Sequence, residues 1–90
     1  MKHAGTAALN EIASLLRWLR EEEFLVERSP GAFYLKSKAF LHFHEDPAGL
    51  FADVKLDRTN FERFPVTTKD EQRRFCALVT ASLGKDGRDV

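Results

Sequence analysis

The period of the apolar positions changes twice along the chain. Leu9, Ile12, Ala13, Leu16 and Leu19 recur at helical spacing, while Asn10, Ser14, Arg17 and Glu21 fall on the opposite side. This predicts an amphipathic helix over about residues 7–22 with Thr6 as its N-cap and Trp18 at the edge of its stripe. The acidic run Glu21-Glu22-Glu23 stands where the helix macrodipole disfavours negative charge, which helps to end the helix. From Phe24 the period is two. Phe24–Arg28 reads as a strand. Ser29-Pro30-Gly31-Ala32 reads as a type II turn, because proline suits its second position and glycine accepts the positive φ of its third. Phe33, Leu35, Ala39, Leu41 and Phe43 then alternate with Tyr34, Lys36, Lys38, Phe40, His42 and His44. A two-residue hairpin at Lys36-Ser37 would flip that parity, so the pattern predicts one long, bent strand with a single apolar side.

Asp46-Pro47-Ala48-Gly49 makes a second turn. It leads to Leu50–Asp57, with Leu50, Ala52, Val54 and Leu56 inward. Asp57–Asn60 is a third turn, and Phe61–Val66 a last strand that Pro65 places at a sheet edge. Thr68 and Glu71 have capping-box spacing, and Phe75, Leu78, Val79 and Leu83 form the stripe of a second helix over about 69–83. Met1–Gly5 and the polar tail Gly84–Val90 are expected to fray, leaving an ordered core of about 6–83. The chain therefore reads as one α+β domain over residues 1–90, in the order α-β-β-β-β-α. Its antiparallel four-stranded meander should carry both helices on its one apolar face.

The other face stays open, and its register follows by arithmetic. With Asp46–Gly49 as the loop, Glu45 pairs with Leu50, His44 with Phe51, Phe43 with Ala52, and His42 with Asp53. The open face should then display Tyr34, Lys36, Lys38, Phe40, His42, His44, Phe51, Asp53 and Lys55, with Phe64 as a further candidate. So many aromatic rings on a polar face point to something that covers them.

Composition narrows the choice. In 90 residues, 14 Lys and Arg balance 14 Asp and Glu, so bulk field alone does not hold this chain to nucleic acid. The single cysteine, Cys76, excludes an intramolecular disulfide and a cysteine-rich zinc site, and favours a reducing, cytoplasmic setting. No apolar run approaches the roughly 18 residues of a membrane span, and no signal-peptide layout is seen at the start, so no membrane partner is expected. Cys76, Ser29, Ser37 and Ser82 lack the context of a catalytic nucleophile, and the glycines make no phosphate-cradling loop.

Three chemistries suit the open face. Aromatic rings flanked by lysines can stack unpaired bases while the cations meet phosphates. The same patch can pair about a twofold axis as a homodimer, with the rings central and Lys36 and Lys38 at the rim. His42 and His44 project side by side with Asp53 across from them, two imidazoles and a carboxylate suited to zinc or another divalent metal. The leading expectation is a non-enzymatic interaction module, a homo-oligomer first and a nucleic-acid binder second. The alternative is a small metal-binding protein or metal-dependent enzyme built on His42, His44 and Asp53.

The segments Phe33-Tyr34-Leu35-Lys36-Ser37-Lys38-Ala39-Phe40, Glu45-Asp46, Gly49-Leu50 and Val54-Lys55-Leu56-Asp57 resemble strand patterns of the MmcQ/YjbR-like family. That resemblance implies a frataxin-like α+β domain, DNA binding as a candidate role and no established activity. It also implies a hairpin at the Lys36-Ser37-Lys38 element, against the long strand that alternation favours. No functional residue is carried over from it.

Overall fold

In the computed structural model, which describes residues 2–87, nine elements follow one another. They are β1 (Lys2–His3), α1 (Thr6–Glu11), α2 (Ala13–Arg20), β2 (Leu25–Ser29), β3 (Ala32–Leu35), β4 (Lys38–Asp46), β5 (Gly49–Val54), β6 (Glu62–Pro65) and α3 (Lys69–Gly87). One antiparallel sheet runs β2-β3-β4-β5-β6, and β1 pairs with β4. The chain is thus α+β with an antiparallel sheet, but with six strands rather than four and three helices rather than two among the described residues.

The first helix breaks at Ile12, whose φ of −114° and ψ of 31° interrupt the helical path between α1 and α2. The stripe survives the break, for Leu9, Ile12, Leu15, Leu16 and Leu19 are all buried. Leu15 takes the inward place expected of Ala13, which is exposed. Gly5, not Thr6, is the N-cap, and no side chain caps the helix.

The long strand is corrected as well. Lys36 and Ser37 both have positive φ, 52° and 70°, as a two-residue hairpin with the twist of its flanking strands requires. Leu35 pairs with Lys38 and Tyr34 with Ala39, but Phe33 pairs with Leu41. Phe40 is therefore the extra residue of a β-bulge. The hairpin inverts the alternation and the bulge inverts it back, so beyond Leu41 the parity is that of an unbroken strand. At the bulge the neighbours Phe40 and Leu41 both turn into the core, each 1% exposed.

From Leu41 onward the expected register holds. Leu41 to Glu45 pair with Val54 to Leu50, and the ladder closes one step further at Asp46 and Gly49. The capping box forms: the Thr68 N–H donates to Glu71 Oε1 at 3.0 Å, and the Glu71 N–H donates to Thr68 Oγ1 at 3.1 Å. Leu16 and Leu19, Leu41 and Phe43, Ala52 and Val54, and Phe75 and Val79 share one core, so the helices cover the same sheet face.

Within the segment expected to fray at the start, Lys2 and His3 instead form the sixth strand, and Met1 lies outside the described residues. β3 pairs with β4 only as far as Leu41, which leaves the rest of that edge open. β1 takes it, pairing Lys2 with Glu45 and His3 with His44. The Ala4 N–H donates to the Phe43 carbonyl at 3.1 Å, and the Gly5 N–H to Glu45 Oε2 at 2.7 Å. At the other end α3 runs past residue 83 to Gly87, and the rest of the tail expected to fray lies outside the described residues.

Glu27 joins three elements. It accepts from Arg20 of α2 through Nε at 2.5 Å and Nη2 at 3.0 Å, and from the N–H of Gly31 in the β2–β3 turn at 2.9 Å. The turn needs its glycine, since φ there is +77° and a Cβ would stand 2.9 Å from Leu9. The Arg20 guanidinium holds the Glu27 carboxyl below its ordinary value, burial works against it, and the Gly31 N–H helps to lower it. A lowered carboxylate pKa adds stability that is complete above the unfolded value, about 4.3, and is lost as pH falls through the folded one. Glu27→Gln should therefore cost about 0.5–1.5 kcal/mol at pH 7, with Arg20 half exposed and screened, and much less near pH 3. Urea denaturation at the two pH values checks this; an equal loss at both would contradict the assignment.

Candidate metal centre

The chain has three histidines, and they meet at one place. His42 and His44 stand two residues apart on β4, so the pleat turns both to the face away from the helices. β1 brings His3 opposite His44 in register and hence to the same face. The rings of His3 and His44 stack with centroids 4.9 Å apart, His42 meets His44 edge-on at 4.8 Å, and His3 lies 5.6 Å from His42. One ring nitrogen from each of the three lies within 4.8 Å of the others. Among the described residues this is the one group of three or more His, Cys, Asp or Glu side chains so placed.

Burial differs across the cluster. His3 is exposed, and His42 and His44 are half-buried. The Nδ1 atoms of both β4 histidines are shielded from solvent without a hydrogen-bond partner. Buried polar atoms are normally paired, and an unpaired one calls for a physical reason. Burial first, and then the neighbouring His44, push His42 below the ordinary imidazole value, with Asp53 acting in the opposite sense. Both effects favour the uncharged imidazole, which keeps a lone pair.

Asp53, expected as the third ligand, has another attachment. Arg63 of β6 grips both its carboxylate oxygens, Nε to Oδ1 at 2.7 Å and Nη2 to Oδ2 at 2.8 Å. That hydrogen-bonded guanidinium holds Asp53 ionised, below the usual carboxylate range, although burial opposes it. Asp53 pairs with His42 along the ladder, yet its side chain reaches His44, whose Nε2 lies 3.1 Å from Oδ2. The ring is turned out of hydrogen-bond alignment there, since Nε2 too is without a hydrogen-bond partner. A small rotation would align it and fix the tautomer with Nδ1 bare. A carboxylate behind a histidine in this way orients the ring and raises its basicity as a ligand.

The remaining residues expected on the open face stand in different surroundings. Phe40 is not on it at all but in the core, with the Arg58 guanidinium 5.3 Å from its ring centroid. Tyr34 is half-buried with the Arg28 guanidinium 5.0 Å from its ring centroid. Phe51 is half-buried opposite His44. Lys36 sits in the hairpin turn, Lys38 is exposed at the start of β4, and Lys55 reaches the Phe61 ring at 4.9 Å. Sequence reasoning missed His3, Arg63 and Phe61, whose ring meets His42 edge-on at 4.7 Å. The signal that could have pointed to His3 is compositional: it is the third of only three histidines, and two already shared a face.

No family model matches the chain, and neither a curated protein nor a solved structure matches it. Among the described residues no helix is long and apolar enough to cross a membrane.

Proposed function

We propose that this domain binds a divalent transition-metal ion, zinc before others, through His3, His42 and His44. The observation that carries the reading is the convergence of three imidazoles, two of them with shielded and unpaired Nδ1 atoms. Neutral imidazole suits zinc, copper, nickel and iron, and three protein ligands with a free fourth position are the pattern of reactive rather than purely structural zinc sites. Tetrahedral zinc with bonds of about 2.0–2.1 Å asks for ligand nitrogens some 3.3 Å apart, so the rings close by roughly an ångström on the ion. Side-chain rotation supplies a movement of that size without a change in the sheet. Asp53 serves behind His44, and Arg63 neutralises Asp53 so that the carboxylate does not compete for the ion.

Association through the open face is the less favoured reading. Of the rings expected at its centre, Phe40 lies in the core, Arg28 covers part of Tyr34, and Phe51 is half-buried opposite His44. An ion held near the surface leaves room for a partner, so the two readings are compatible.

The test is calorimetric titration of zinc into metal-free protein, with thermal melts beside it. The expected result is one equivalent bound and a melting temperature that climbs with free zinc, as ligand binding to the native state requires. An unchanged melting temperature and no saturable heat would overturn the reading.

A further inference from the structure

A cleft of about 390 Å³ opens beside the three histidines, at the joint where β1 and β3 abut along one edge of β4. His3 and His42 form part of its wall, and Leu9, Phe33, Leu41 and Phe43 give it an apolar lining. The volume falls in the lower part of the roughly 300–1,000 Å³ range of small-molecule sites.

We propose that this cleft receives a small organic carboxylate, one oxygen of which takes a coordination position on the metal held by His3, His42 and His44. The inference rests on the metal reading above and adds the ligand to it. Three considerations lead to it. Two of the three ligating side chains are also walls of the cleft, so an ion between them presents a coordination position to that space. Charge comes next. Three neutral imidazoles leave the ion's two positive charges uncompensated, Asp53 is already matched by Arg63, and the residues that line the cleft include no Asp, Glu, Lys or Arg. A carboxylate would bring the negative charge that these surroundings do not supply. The apolar lining finally calls for a hydrocarbon body attached to that charge, which sets an aromatic or aliphatic carboxylate above a bare inorganic anion. Tyr34 and Ser29, residues that carry hydroxyls, are also on the lining.

Cobalt(II) in place of zinc makes the test visible, because its absorption reports the ligands around the ion. Benzoate titrated into the cobalt-loaded protein should shift the spectrum and saturate at one equivalent, whereas benzamide, of the same shape without the charge, should leave it unchanged. Ala39→Leu, which narrows the cleft at a lining residue that is not a metal ligand, should weaken benzoate roughly tenfold or more and leave the cobalt spectrum as it is in the wild type. A cobalt spectrum indifferent to benzoate, or one that responds equally to benzamide, overturns the proposal while the metal site stands. No cobalt spectrum at all overturns the metal reading and this proposal with it. The wild-type comparison of benzoate with benzamide decides the matter even if Ala39→Leu fails to fold.

Discussion

His3→Ala is expected to lower zinc affinity by more than about 100-fold while the sheet stays folded. Loss of a residue that only orients a metal ligand already costs about 10–100-fold, and loss of the ligand itself exceeds that. His3 is exposed on a two-residue strand, so its ring adds little to the core and the variant should melt close to the metal-free wild type. This substitution separates the two ligand sets. If His42, His44 and Asp53 hold the ion, His3→Ala leaves the affinity nearly untouched and Asp53→Asn abolishes binding. If the three histidines hold it, Asp53→Asn falls in the intermediate range and His3→Ala is the severe variant. Competition with a chromogenic chelator measures all of these.

Phe40→Ala should bring the largest loss of stability. A buried phenylalanine cut back to alanine costs about 3–5 kcal/mol, from lost transfer energy and from the cavity left behind. For a domain of this size the whole margin is on the order of 5–13 kcal/mol, so the variant should be partly unfolded at moderate urea where the wild type is native. An exposed ring on an open sheet would cost a small fraction of that. A measured loss below about 1 kcal/mol would show that the bulge does not turn Phe40 inward.

How far the fold could be read from residues alone is clearest along β4. The alternation of His42, Phe43 and His44 against Asp53, Ala52 and Phe51 was legible because a one-residue slip would send every side chain to the wrong face. Thr68 and Glu71 were legible for a local reason, a reciprocal pair of hydrogen bonds at fixed spacing. Lys36-Ser37 and Phe40 were not legible in the alternation, although the family resemblance did imply a hairpin at Lys36-Ser37-Lys38. A two-residue turn and a one-residue bulge each invert parity, and together they restore it, so the apolar pattern carries no trace of either. Neither Lys36 nor Ser37 is the glycine or asparagine that usually marks such a turn. β1 was hidden for a different reason. Two residues show no period, and Lys2 and His3 are held by the free edge that β3 leaves on β4, a long-range vacancy that local sequence does not reveal. The candidate site was accordingly half legible: His42 and His44 announce themselves by strand spacing, but His3 is brought to them only by tertiary pairing.

Because the chain contains no other histidine, its imidazoles can be followed together without interference. The most direct measurement is a zinc titration of ¹⁵N-labelled protein observed through the side-chain nitrogens of His3, His42 and His44. The account predicts that all three imidazoles change environment together and stop changing at one equivalent, with His44 coordinating through Nδ1. Spectra in which the three stay as they were, or in which His42 and His44 respond while His3 does not, would contradict it.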